Sequence, residues 1–174
     1  MRTDDEAEYL ERVRASRTLH RPWAYLADRP EGFRELLIRA AAPSEVVYLI
    51  CRAEDGAMVG IASLSQIFLG NFRNAYLGYS VFEPHSRSGY MTEGLRLVLQ
   101  EGFGALGLHR IEANIQPDND RSIALAERLG FRREGFSPRY LKIGGRWQDH
   151  VRYALLAEEF APSGRRIEAP LDPG

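Results

Sequence analysis

The sequence predicts an α+β fold, a sheet around a cleft with helices packed on it, and three observations carry that prediction. Apolar spacing switches between helical and strand periods in the order helices, three strands, helix, strand, helix, two strands. Turn signals at Asp55-Gly56, between Gly70 and Asn74, and at Gly144-Gly145 join sequential strands as hairpins. A strand over 75–82 then empties through Ser86-Arg87-Ser88-Gly89 onto an apolar helix opening at Tyr90-Met91-Thr92-Glu93.

The elements follow in order. Ala7, Leu10, Val13 and Ala15 give a loose helical spacing over 6–19 after acidic starters. Pro22 and Pro30 bracket a loop or short helix that holds Trp23 and Tyr25. Phe33, Leu36, Leu37 and Ala40 line one side of a second helix, 31–41, stopped before Pro43. Strands are expected over 46–53 and 57–69, then 75–82. Met91, Leu95, Val98, Leu99 and Leu106 carry the next helix up to Gly107. A strand over 109–116 is broken by Pro117 and Asp118. Asn119 and Asp120 can cap a helix over 121–129 that stops at Gly130. Segments 131–143, interrupted by Pro138, and 147–156 form the last hairpin.

Composition narrows the function classes. A chain of 174 residues supports one domain with a full core, placed at 1–160. The tail, 161–174, is rich in Pro, Gly and charge and is expected to be disordered. A net charge of −1 draws the chain to neither nucleic acid nor membrane. The start of the chain has no apolar stretch of signal-peptide length, and no segment is long enough to span a bilayer, so a cytoplasmic location is the expectation. The single cysteine, Cys51, excludes an intramolecular disulfide and reads as a buried, inert thiol in a strand. His20, His85, His109 and His150 show no metal-ligand spacing, and no metal is expected.

The turn 86–91 is the candidate site. A strand that ends on a helix N-terminus points free backbone N–H groups and the positive end of a helix dipole at one place, which suits a phosphate-bearing ligand. Read alone, the segment is equally an ordinary strand-to-helix turn capped by Ser88.

Its surroundings favour the ligand. Ser86-Arg-Ser-Gly89-Tyr-Met91, Asn119-x-x-Ser122 and Arg128-Leu-Gly-Phe131 resemble the pyrophosphate loop, the Asn-x-x-Ser/Ala and the Leu-Gly-Phe of the GNAT acetyltransferases. Arg21-Pro-Trp23, Val59-Gly-Ile-Ala-Ser-Leu-Ser65, Tyr76-Leu-Gly-Tyr79 and Gly145-Arg-Trp147-Gln-Asp149-His150 narrow the resemblance to the RimJ/RimL type, which acetylates protein N-termini. It runs from about Asp4 to Phe160. The loop departs from the family pattern: Ser86 replaces the usual Gln/Arg and Arg87 the usual first Gly. A non-glycine residue strains such a turn if it needs φ > 0, while its charge can meet a phosphate. The family's first strand has no evident counterpart before Asp4.

The resemblance implies a mixed, mostly antiparallel sheet with a splayed cleft for acetyl-CoA. It places Ser86, Arg87, Ser88, Gly89, Tyr90 and Met91 on the pyrophosphate, the main chain of Tyr79 to Val81 on the pantetheine amides, a nearby N–H of that strand on the thioester oxygen, and Asn119 on the pantetheine arm. Ser122 matches the position that protonates the CoA thiolate; the tyrosine many relatives use there would fall at Ala126. Simple capping explains Asn119 and Ser122 as well. The base is open, because the positions where relatives carry glutamate are Asn114 and Leu141 here. Asp149, acting through water, is favoured over Glu112, and a structural ion pair is the plain alternative for each. Asp149 and His150 point to opposite faces of one strand and cannot both line the cleft without a bulge. Trp23 and Trp147 either wall the acceptor site or pack in the core. The expected acceptor is a protein N-terminal α-amine; the alternatives are a small-molecule amine (an amino sugar, polyamine or antibiotic) and a non-catalytic acyl-CoA-binding module, and the aromatic segment 67–76 is a candidate homodimer edge.

Overall fold

The computed structural model describes residues 1–161, and the tail expectation lies outside them from residue 162 onward. A short 3-10 turn, Thr3–Asp5, leads into α1 (Glu6–Ala15), α2 (Arg17–His20) and α3 (Pro30–Ala40). The strands β1 (Glu45–Cys51), β2 (Met58–Phe68) and β3 (Asn74–Val81) precede α4 (Tyr90–Phe103), β4 (Arg110–Ile115), α5 (Asp120–Arg128), β5 (Arg132–Ile143) and β6 (Arg146–Leu156).

The six strands form one sheet in the order β1-β2-β3-β4-β6-β5. Every neighbouring pair is antiparallel except β3 with β4. That parallel pairing covers only Asn74 to Tyr76 against Arg110 to Glu112. Beyond it β3 runs on to Val81 and β4 to Ile115 without pairing each other. The sheet therefore opens into a wedge at its centre.

Strand alternation sorts the side chains. Ala75 and Leu77 of β3, Ile111, Ala113 and Ile115 of β4, and Val151, Tyr153 and Leu155 of β6 enter a core with α4 and α5. A second core lies across the sheet, where Tyr9, Leu10, Val13, Phe33 and Leu36 meet Val47, Ile61 and Phe82. The even-numbered residues 112–116 and 148–152 thus share the α1–α3 face of the sheet. Gly60 lets α4 approach: a Cβ there would stand 2.5 Å from Met91 Sδ and 2.6 Å from the Ser80 carbonyl oxygen.

Three expectations change. The first helix breaks at Ser16, whose Oγ donates to the Arg12 carbonyl at 2.6 Å while accepting the Glu83 N–H at 2.9 Å. The break ties α1 and α2 to the end of β3. The fourth helix ends at Phe103 rather than near Gly107, because Leu106 packs on the core from the following turn and imitates one more helical step. Cys51 is exposed, not buried. Pairing shifts between Ile50 and Cys51, so Ile50 fills the core position and the thiol falls outside it.

Candidate active site

The wedge between β3 and β4 opens into a cleft of about 1590 Å³ that meets the turn before α4, the start of α5 and the loop after α2. Each wall follows from local sequence.

The α4 end presents backbone amides to the cleft. Gly89 is the N-cap, at φ 89, and offers no side-chain cap. Its carbonyl accepts the N–H groups of Thr92 and Glu93 at 2.9 and 3.3 Å. Among the described residues no acceptor takes the backbone N–H groups of 86–91. The first turn of a helix has no internal partners for its amides, and its dipole is positive there. A Cβ built on Gly89 meets nothing within 4 Å. Ser88 does not cap the helix: its hydroxyl donates to the His85 carbonyl. Ser86 donates to Glu83 at 2.8 Å and braces the loop. Arg87 does adopt φ 66, the left-handed conformation in which a side chain costs roughly 1–2 kcal/mol. Arg87, Arg121 and Arg128 line this part of the cleft. Met91 contributes its backbone only, since its side chain is buried against Gly60. The Tyr90 ring stands edge-on to His85, with centroids 6.2 Å apart.

The strand wall offers main-chain groups. Phe82 N–H donates to the Val59 carbonyl, toward β2. Backbone direction alternates along a strand, so the amides of Val81 and Tyr79 turn toward the wedge. One of those groups is already engaged: His20 approaches the Val81 carbonyl oxygen through Nε2 at 2.8 Å. A carbonyl only accepts, so Nε2 carries a proton. Burial holds the His20 pKa below its ordinary value, against the Val81 bond and the nearby Glu83 charge. The Tyr79 hydroxyl donates to the Ser122 carbonyl at 2.9 Å, and burial raises its pKa well above the usual phenol.

Asn119 and Ser122 both line the cleft. Asn119 is also the N-cap of α5, its Oδ1 accepting the Ser122 N–H at 3.3 Å. Capping and cleft placement therefore coexist. The Ser122 hydroxyl makes no hydrogen bond among the described residues.

The structure does not bring Asp149, Glu112 and Trp147 to this cleft. Asp149 Oδ1 accepts the Arg139 N–H at 2.7 Å. Pro138 interrupts β5, pairing shifts between Ser137 and Leu141, and Asp149 ties down the displaced backbone. Glu112 accepts from Arg110 Nε at 2.9 Å and sits where β3 and β4 are still paired, short of the wedge. A base role for either carboxylate does not fit these positions. Trp147 is 61% exposed beside the terminal turn, so only Trp23 of the two tryptophans walls the cleft.

Other residues stand here instead. His20 precedes Arg21-Pro22-Trp23, and that adjacency is the one signal that placed it near the site. Gln116 Nε2 donates to the Trp23 carbonyl at 3.1 Å and fixes the loop over the wedge. His150 reaches the cleft from β6, and Asn114 from β4. Asn114 Oδ1 is buried with no hydrogen-bond partner. Among the described residues no group of three or more His, Cys, Asp and Glu side chains is placed to hold a metal ion. No helix among them is long and apolar enough to cross a membrane.

Comparison with known proteins agrees with this geometry. Residues 1–132 match the acetyltransferase (GNAT) domain family. The chain is 39% identical over 118 residues to the probable N-acetyltransferase YjcK of Bacillus subtilis, covering 68% of this chain and 65% of that protein. It is 38% identical over 109 residues to the [ribosomal protein uS5]-alanine N-acetyltransferase of Escherichia coli, covering 63% of this chain and 56% of that one. The matches thus span less than two thirds of these relatives' own lengths. The solved structure of Mycobacterium smegmatis RimJ in complex with CoA-disulfide superposes with a TM-score of 0.80 at 30% identity, over 91% of this chain and 80% of that one. Spermidine N-acetyltransferase from Vibrio cholerae, in complex with CoA and spermine, shares the fold with a TM-score of 0.78 at 20% identity, over 91% and 94% of the two chains. The sheet, the wedge and the family match together establish that this chain belongs to the GNAT acetyltransferase family.

Proposed function

We propose that the protein is an acetyl-CoA-dependent N-acetyltransferase whose acceptor is the α-amine of a protein N-terminus. The observation that carries the acceptor class is the polarity of the wall opposite α4 and α5. Ser63, Ser65, Gly78, Ser80, Asn114 and Gln116 line the cleft with hydroxyls, amides and bare backbone. The carboxylates lining the cleft are Glu45 at the start of β1 and Asp118 and Asp120 beside the α5 cap, against five arginines. A polyamine needs carboxylates to match its spaced charges, whereas a peptide needs hydrogen-bond partners for its backbone. The relative named for uS5 alanine acetylation supports the same class.

Acetyl-CoA, when bound, supplies an acyl group already activated as a thioester. The free amides before α4 hold pyrophosphate, with Arg87 adding charge. The wedge-facing amides of Tyr79 and Val81 bind the pantetheine arm and polarise the thioester carbonyl. Asn119 holds the arm, and Ser122 hands a proton to the departing sulfur. Trp23, fixed by Gln116, closes the acceptor side and positions the amine.

We also propose that the exposed rings of Phe68 and Phe72, 6.2 Å apart at the β2–β3 turn, form an edge through which two copies associate. Sedimentation at micromolar concentration showing only monomer removes that element. The acceptor class is tested with acetyl-CoA against Ala- and Ser-initiated peptides and spermidine. Peptides are expected to react with higher kcat/KM; a preference for spermidine overturns the assignment.

A further inference from the structure

The two carboxylates weighed as bases, Asp149 and Glu112, lie outside the cleft, and a histidine lines it instead. His150 is 2% exposed yet lines the cleft. Its Nδ1 lies 3.0 Å from the Gln148 carbonyl oxygen. The carbonyl only accepts, so Nδ1 carries the proton and Nε2 presents the lone pair. Nε2 has no partner among the described residues and is not among the sealed unpaired atoms, so it meets the cleft. Asn114 pairs with Arg152 across β4 and β6, which makes His150 its diagonal neighbour on the same sheet face, about 7 Å away. Asn114 Oδ1 is the unpartnered acceptor described above.

We propose that His150 is the general base of the reaction, its Nε2 taking a proton from the acceptor ammonium. The assignment rests on the acetyl-transfer reading and adds to it the group that reading lacks. The neutral amine's lone pair forms the N–C bond to the thioester carbon, and the C–S bond breaks. The nitrogen's surplus proton passes through Ser122 or water to the sulfur. The imidazolium then releases its proton to solvent, so each turnover yields one amide, one free thiol and one proton.

The groups around His150 fit that role. Asp149 on its own strand is the one charged group acting on it, and it favours the imidazolium. The Tyr140 ring from β5 stands edge-on, with centroids 5.9 Å apart. From β4, Asn114 and Gln116 are neutral. Burial outweighs the help from Asp149 and holds the ring neutral at pH 7. An imidazole also discriminates among amines. Against its ordinary pKa, proton transfer from an α-ammonium is uphill by on the order of 20-fold, and from a lysine-like ammonium by on the order of 10,000-fold. The base and the uncharged polar wall thus select the same acceptor.

The test is kcat against pH for an Ala-initiated peptide at saturation, in the wild type and His150→Gln. The wild-type kcat is expected to fall on the acid side with a pKa below about 6.5. His150→Gln is expected to lose at least about 100-fold in kcat and to lose that acid limb, with acetyl-CoA affinity unchanged. A wild type that acetylates no amine overturns the function reading itself. An active wild type with a flat kcat down to pH 5.5, or a His150→Gln enzyme that keeps the rate and the limb, overturns the base assignment alone. Should the glutamine variant fail to fold, His150→Asn, whose amide keeps a donor near the Gln148 carbonyl, takes its place under the same criteria.

Discussion

Replacing Gly89 by aspartate separates cofactor binding from fold, because it changes the fold's stability little and weakens phosphate binding strongly. Residue 89 sits at φ 89 with open space where a Cβ would go. Any side chain there carries the left-handed penalty, roughly 1–2 kcal/mol, partly offset by about 0.4–1 kcal/mol from a less flexible unfolded chain. A carboxylate at the N-cap of α4 gains about 0.3–1 kcal/mol from the helix dipole. The apo protein should therefore lose little stability. Ligand binding behaves otherwise. A carboxylate about 5 Å from a phosphate, at an effective dielectric near 20, costs roughly 3 kcal/mol, or about 200-fold in Kd. Acetyl-CoA at a hundredfold excess over the wild-type Kd stabilises the native state by about 2.7 kcal/mol. For a chain of this size that is a Tm rise of roughly 5–11 °C. Thermal unfolding with and without acetyl-CoA measures both quantities. The expected result is a near-normal apo Tm and an abolished shift in Gly89→Asp, with the shift retained in Gly89→Ala. A full shift in a folded Gly89→Asp protein refutes the placement of phosphate at α4.

Other predictions concern the opposite walls. Ser122→Ala is expected to lower kcat by about 100-fold with KM for acetyl-CoA little changed, because proton donation matters mainly in the transition state; an undiminished kcat leaves capping of α5 as the role of this turn. Asn119→Ala is expected to raise that KM and, since Asn119 caps α5, to cost about 1 kcal/mol of stability by denaturant unfolding; unchanged stability contradicts the observed cap. Stability should also fall on mild acidification. Burial depresses the pKa values of His20 and His150, so the unfolded chain binds protons that the folded one refuses. Their contribution is complete above about pH 6.5 and is lost as pH drops toward the folded-state values. Tm should decline between pH 7 and pH 5.5, less steeply in His20→Gln, and a Tm that rises over that window contradicts the neutral, buried state of both rings.

The strands and helices were legible because periodicity and turn chemistry act locally. Pro30 opens α3, and the glycines at 144 and 145, both at positive φ, close the last hairpin. The proposed anion site was readable for the same reason: a strand, a glycine and a helix start lie within a dozen residues. The base was not. Asp149 and His150 are adjacent, and which of them faces the cleft depends on the register of β6 against β4, a long-range pairing that no local pattern encodes. Pro138 adds the bulge that claims Asp149. His20 was invisible as a site residue because its partner, Val81, lies 61 residues away. Cys51 shows the converse error, where a strand pattern was continued one residue past the shift that ended it.

The most direct measurement follows both products of one reaction. The protein is incubated with acetyl-CoA and a peptide carrying a free α-amine and an internal lysine, free thiol is titrated, and the acetylated nitrogen is located by mass spectrometry. The account predicts one thiol released per acetyl group, all of it on the α-amine, and neither product with Gly89→Asp at the same acetyl-CoA concentration. Thiol release without acetyl-peptide, or acetyl on the lysine in preference to the N-terminus, contradicts it.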